Sequence, residues 1–240
     1  MRILITNDDG IASVALSSLA AWASRFGEVT VIAPRVEQSG KSHAIDFHRP
    51  LEIKEVTLPG GMTAWSVDST PADCVRFGVL GLKTRYDLVL SGVNHGYNLG
   101  RDIVYSGTVG AIFEAARLDM PGIALSTDFG DPTPALSQLD AVKAYVDEHE
   151  LLRHCTHWNI NIPPVACGFR FTQQGGIFYT DEFVHQGNDM YQQVGGPVMY
   201  ETMPPEWDIT AVRDGLISLT PLASTLTDLS VYDKLTSSTI

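Results

Sequence analysis

A chain of 240 residues with 44% hydrophobic and 18% charged side chains has the composition of a globular protein long enough to bury a core, which excludes a disordered or fibrous architecture. The 28 acidic against 16 basic residues give a formal charge of −12, the wrong sign for gripping a nucleic-acid polymer. A small phosphorylated ligand stays compatible with that charge, because a bound divalent cation reverses the local field within one cleft.

Taken in chain order, Arg2 to Thr6 reads as a buried first strand. The polar run Thr6-Asn7-Asp8-Asp9 follows at once, where a secretory leader would continue apolar. No apolar run approaches the roughly 20 residues a membrane-crossing helix needs. A cytoplasmic protein with no membrane partner is therefore expected. Leu16, Leu19, Ala20 and Ala23 recur at helical spacing, with Gly27 as the expected stop, and Val29 to Ala33 is the second strand. His43 to Val56 and Thr63 to Val67 read as strands of a side hairpin turned by Pro59-Gly60-Gly61. Tyr86 to Ser91 is a further buried strand. After a Gly- and Asn-rich loop, Val109, Ile112, Phe113 and Ala116 mark one helix face, and Gly122 to Ser126 returns as a strand.

This alternation predicts an α/β fold with a parallel sheet. Leu136 to Leu152 is predicted as one helix and residues 157–163 as a strand closed by Pro163-Pro164. Beyond Pro164 the pairs Gly175-Gly176, Gly195-Gly196 and Pro204-Pro205 cut the chain into short strands such as Gly176 to Thr180. The expectation is one domain over residues 1–240 whose region from about 175 to 240 contains a hairpin-rich oligomerisation extension. Cys74, Cys155 and Cys167, odd in number and without CxxC spacing, fit reduced packing thiols.

Ligands of a parallel sheet bind beyond the carboxyl ends of its strands, so the polar residues after each strand are the candidates. Strand one leads into Asp8-Asp9, strand two into the loop with Ser39, and the Tyr86 strand into SGVNHGYNLG with Asn94 and Asn98. The same loop reaches Ser106-Gly107-Thr108, which opens the helix near Val109, and free amides at a helix N-terminus hold anions. Two carboxylates with Ser39 and Asn94 make an oxygen-only donor set suited to Mg²⁺ or Mn²⁺. Such an ion beside a phosphate cradle describes a phosphomonoesterase. Each part has a plainer reading: a solvated Asp-Asp-Gly turn, and Ser106 as no more than a helix cap. His43, four residues past Ser39, is placed either as a general acid or base or as a supporting residue behind the site. The cluster His154, Cys155 and His157 fits no zinc spacing, and neither a P-loop nor a GxGxxG motif is present.

The segments MRILITNDDGI, VIAPRVEQSGKSHAI, STPADCV and DLVLSGVNHGYNLGRDIVYSGTVGAIFEA, with NINIP and AVRDGLISLTPL further on, resemble the SurE family of survival-protein nucleotidases. That resemblance implies a Rossmann-like body, a swapped hairpin in homodimers or homotetramers, and 5′-nucleotidase activity: hydrolysis of nucleoside 5′- and 3′-monophosphates with one divalent metal ion per subunit, extending in some members to short polyphosphate. By position it implies Asp8, Asp9, Ser39 and Asn94 as metal ligands, and Asn98 with Ser106, Gly107 and Thr108 as phosphate contacts. The family usually shows a proline- and glycine-containing turn where this chain has Ala12-Ser13-Val14-Ala15, a difference confined to the start of the first helix. Asp8 and Asp9 lack the DxD spacing of aspartyl-phosphate enzymes, which favours direct attack by water over a covalent intermediate. Two alternatives stay open: a nucleotide-binding regulatory module without turnover, and a phosphatase for another metabolite.

Overall fold

Alternate side chains of a strand face opposite ways, so a strand buried on both sides must be apolar throughout. Strand β1 (Arg2–Thr6) obeys this: Ile3 and Ile5 enter one core cluster and Leu4 enters another. The computed structural model describes residues 1–198 and 200–237. After β1 come α1 (Val14–Ala23), β2 (Glu28–Pro34), β3 (Ile53–Thr57), β4 (Thr63–Val67), α2 (Pro71–Arg76), β5 (Leu88–His95), α3 (Gly107–Arg117) and β6 (Gly122–Thr127). They are followed by α4 (Thr133–Leu136), α5 (Leu139–Glu148), α6 (Leu151–His154), β7 (His157–Asn161), β8 (Phe169–Phe171), β9 (Tyr179–Gly187), β10 (Met190–Pro197), α7 (Asp208–Arg213), β11 (Ile217–Pro221) and α8 (Leu229–Ser237).

Among the described residues, nine strands form one sheet in the order β3-β4-β2-β1-β5-β6-β7-β11-β8. The run from β4 to β7 is parallel, while β3 and β11 pair antiparallel with their neighbours β4 and β7. One core cluster lies under α1 and α5, with Leu16, Leu19, Leu139 and Val142. The other lies under α2 and α3, with Cys74, Val109 and Ile112. The predicted α/β class with a mostly parallel sheet is what the chain adopts. No helix among the described residues is long and apolar enough to cross a membrane.

Several expected boundaries differ. Of the predicted strand His43 to Val56, only its end is in β3. The backbone of 44–46 is tied instead to α2, since Thr70 Oγ1 donates to the Ala44 carbonyl (2.6 Å) and the Asp46 N–H donates to Asp73 Oδ2 (2.8 Å). The hairpin β3–β4 is no side element, because β4 pairs in parallel with β2 and makes the hairpin one edge of the main sheet. Helix α1 stops at Ala23, before Gly27, and Ser13 caps its start by accepting from the Leu16 N–H. The single helix expected over 136–152 is broken into the end of α4, α5 and the start of α6, and Glu150 between α5 and α6 adopts a left-handed backbone (φ 47°) that a continuous helix does not allow. The strand expected from Gly176 begins only at Tyr179, and β9 and β10 form an antiparallel hairpin outside the main sheet. The chain then returns, since α7 and β11 rejoin the body. The three cysteines are free, and Cys74 is buried as expected of a packing thiol, whereas Cys167 is exposed.

Candidate active site

The loop after β1 is closed by its own asparagine: Asn7 Nδ2 donates to the Gly10 carbonyl (3.1 Å) and Asn7 Oδ1 accepts from the Gly10 N–H (3.2 Å). Gly10 has φ +96°, and a Cβ there would lie 3.2 Å from the backbone of Val36, so only glycine lets the loop after β2 come this close. The two loops are laced by Gln38 N–H to the Asp8 carbonyl and Ile11 N–H to the Pro34 carbonyl, both 2.7 Å. This lacing carries Ser39 alongside Asp8.

Asp8 is only 4% exposed. Its carboxylate meets the N-terminus of α3, where the Thr108 N–H donates to Oδ2 (3.2 Å) and the Thr108 hydroxyl donates to Oδ1. Gly107 passes so near that a Cβ would sit 3.1 Å from Asp8 Oδ2. Burial raises the Asp8 pKa above the usual carboxylate value, against the pull of the Thr108 hydrogen bonds. Asp9 is pushed up to about 6, first by burial and next by the charge of Asp8, while a hydrogen bond from the His95 N–H (3.3 Å) opposes the shift. Glu37 adds a further negative charge felt by both, and its Oε1 accepts from the Ser39 hydroxyl (2.6 Å).

A cleft of about 580 Å³ at this sheet edge is lined by Asp8, Ser39, Asn94, Asn98 and Ser106 together with aromatic side chains. Asn94 was expected in the loop after a strand ending at Ser91. It lies instead on β5, which continues beyond a register shift to pair Asn94 with Ser126. Its Nδ2 donates to the Gly96 carbonyl (2.7 Å), leaving Oδ1 for a ligand. Asn98 is held from the far strand: its N–H donates to Asn161 Oδ1 (2.9 Å), and Asn159 and Asn161 both donate to its carbonyl (2.8 and 2.9 Å). Ser106 is the N-cap of α3, its Oγ accepting from the Val109 N–H (3.1 Å), so the plainer reading of this residue holds alongside its place in the cleft. Two amides of this first turn are thus taken, the Thr108 N–H by Asp8 and the Val109 N–H by Ser106.

Four of the expected residues are not among those that line the cleft: Gly107 and Thr108, which begin α3 beside Asp8, and Asp9 and His43, which face elsewhere. Asp9 opens on a neighbouring depression with His95 and the start of α1. His43 points to the back of α3, with Nε2 2.8 Å from Glu114 Oε2, and is not among the residues that line the cleft. It pins the Ser39 loop, which Ser42 also anchors through its hydroxyl on the Val104 carbonyl (2.6 Å). Sequence reasoning passed over Glu37, Asn159 and Asn161. The signal for the asparagines was their i, i+2 spacing in NINIP, which puts both on one face of β7. His157, from the other cluster considered, is buried with Nε2 3.0 Å from the Met120 carbonyl.

The donor types found here are those a hard cation takes. Two adjacent carboxylates are desolvated against each other, the nearby Glu37 charge is also negative, and the remaining donors are a hydroxyl and an amide oxygen. The fold and cleft define a three-layer α/β protein that gathers an acidic, oxygen-rich pocket and a helix N-terminus at the carboxyl edge of a parallel sheet. The sequence profile of the family described as Survival protein SurE matches residues 3–181. The chain belongs to the SurE family. It is 38% identical to the "5'-nucleotidase SurE" of Pelotomaculum thermopropionicum (98% of this chain, 94% of that protein) and 39% identical to that of Gemmatimonas aurantiaca (98% of each). Among solved structures, the SurE protein from Aquifex aeolicus superposes with a TM-score of 0.76 at 30% identity, covering 99% of both chains.

Proposed function

We propose that this chain is a metal-dependent phosphomonoesterase that hydrolyses nucleoside 5′- and 3′-monophosphates, with short polyphosphate as a further substrate. The observation that carries the reading is Asp8 and Asp9 side by side, with Asp8 bonded to the first turn of α3 in the cleft that Ser39, Asn94 and Asn98 also line. The family and the names of its relatives agree with that chemistry.

Asp8, Asp9, Ser39 and Asn94 hold one divalent ion per subunit, Mg²⁺ or Mn²⁺ by donor type. When bound, that ion supplies polarisation of a phosphoryl oxygen and activation of water. The chain's own groups do the rest. Asn98 and the Gly107 amide receive the phosphoryl oxygens, and Thr108 keeps the Asp8 carboxylate oriented through two hydrogen bonds. The partial positive charge of the α3 N-terminus offsets negative charge that builds on those oxygens. Glu37 fixes the Ser39 hydroxyl and His43 fixes its loop, so both act by positioning.

The hairpin β9–β10 exposes Phe183, Met190 and Tyr191, and a two-stranded ribbon by itself is marginal in water. It serves to join copies of this chain into a homodimer or homotetramer, with residues 1–240 as one domain. Three free cysteines and nucleotide substrates suit a cytoplasmic site of action.

The test is phosphate release from 5′- and 3′-nucleoside monophosphates, ribose 5-phosphate and short polyphosphate, with Mg²⁺, Mn²⁺ or EDTA, on wild type and Asp8→Asn. Release from nucleotides that needs metal and falls by at least about a hundredfold in Asp8→Asn is expected; no release from any nucleotide refutes the reading. Light scattering on the same wild-type sample should report two or four subunits, and a monomer would remove the role given to the hairpin.

A further inference from the structure

The cleft has a feature that metal and phosphate do not use. Phe129 stands two residues past the end of β6, whose last residue Thr127 pairs with His95, the neighbour of Asn94. The residue is 66% exposed, yet its ring is held against its neighbours. The outer edge of the ring rests on Gly96, where a Cβ would come within 2.8 Å of Cε1 and Cζ. The His95 ring meets it edge to face, with centroids 5.7 Å apart at 83°. His95 is in turn held by its Nε2, 3.1 Å from the Gly130 carbonyl.

An exposed phenylalanine that serves only folding gains little, since most of its surface stays in water. A braced ring on the wall of a substrate cleft is a different object, because aromatic rings bind flat partners by offset stacking. Gly96 is two residues beyond Asn94 and its carbonyl accepts from Asn94 Nδ2 (2.7 Å), so the ring that rests on Gly96 borders the Asn94 end of the cleft. Resting on the nucleotide reading above, we propose that Phe129 is the stacking platform for the nucleobase and so the residue that separates nucleotides from base-free phosphomonoesters. Phe129 carries no hydrogen-bonding group, so the platform accepts every base and favours the larger purines.

The experiment compares Phe129→Ala, Phe129→Leu and Phe129→Trp with wild type, reading kcat/KM for adenosine 5′-monophosphate divided by that for ribose 5-phosphate. The ratio should fall about tenfold in the Ala and Leu variants and be kept by Trp. In parallel, saturation-transfer NMR on the metal-free protein should show adenosine base protons in contact with wild type and the Trp variant but not with Ala or Leu. Leu keeps the bulk of the side chain, so a melting-temperature loss limited to Ala does not blur the result. A wild type that hydrolyses the nucleotide with a ratio unmoved in both Ala and Leu overturns the platform alone. A wild type that hydrolyses ribose 5-phosphate but no nucleotide overturns the nucleotide reading and the platform together.

Discussion

Replacing Asp9 by Asn should stabilise the metal-free protein while destroying its response to metal. Asp9 rises from its ordinary value of 3.8 to about 6, because it is desolvated beside the Asp8 carboxylate. A carboxylate with a raised pKa opposes folding when ionised: the cost is absent below the ordinary pKa, grows as pH rises from 3.8, and is complete above about pH 6. Two pH units at about 1.4 kcal/mol each set a ceiling near 3 kcal/mol, and the remaining solvent contact of Asp9 brings this to about 1–2 kcal/mol. For a chain of this length that is a gain of roughly 2–8 °C in melting temperature. Asparagine keeps an oxygen to accept the His95 N–H, so the gain is not cancelled by a lost hydrogen bond. The assay is thermal unfolding in EDTA at pH 7 and pH 4, then at pH 7 with Mn²⁺ in excess. In EDTA at pH 7 the variant should melt above wild type, and at pH 4 the two should converge. With Mn²⁺ the order should invert, since wild type alone gains the binding term, about 2.7 kcal/mol at a hundred times Kd. A variant that melts below wild type in EDTA at pH 7, or a gain equally large at pH 4, refutes the electrostatic argument.

Gly107→Ala should separate activity from stability: the new Cβ lies 3.1 Å from Asp8 Oδ2 and must displace that carboxylate by a few tenths of an ångström. kcat/KM should fall by about tenfold or more, while the unfolding free energy moves by less than about 1 kcal/mol. Glu114→Gln removes the buried charge that faces His43, Arg76 and Arg117. Burial would raise the Glu114 pKa, but hydrogen bonds from His43 and Arg117 outweigh it and hold the carboxyl below its usual range. The variant should lose about 3 kcal/mol near pH 7, seen as a lower urea midpoint at unchanged slope. Because the pKa is lowered, this difference is full above the ordinary value of 4.5 and shrinks as pH falls through the lower folded value.

The strands β1 and β4 lie where their β-branched and aromatic runs place them, and the helix face Val109, Ile112 is the buried face of α3. Those elements are legible because their signals are local: period-two and period-3.6 burial needs no knowledge of the partner. Asp8, Ser39, Asn94 and Asn98 could be assigned to one sheet edge for a related reason, since parallel strands joined by helices all end on the same side. Local pattern failed wherever a distant group took over the backbone. Residues 44–46 bond to α2 and not to a strand, and β5 runs on past Ser91 because Ser126 and Thr127 pair with it.

The sequence by itself therefore determined the α/β class, most of the central strands and the edge at which an oxygen-rich site forms. Only the tertiary structure decided that Thr108 orients Asp8 across 100 positions, and that Asn161 holds Asn98 across 63. It also decided that His43 turns away from the cleft toward Glu114, and that Phe129 stands braced on the cleft wall. These contacts depend on strand order and side-chain direction, which follow from pairing between segments far apart in the chain, and no local periodicity records them.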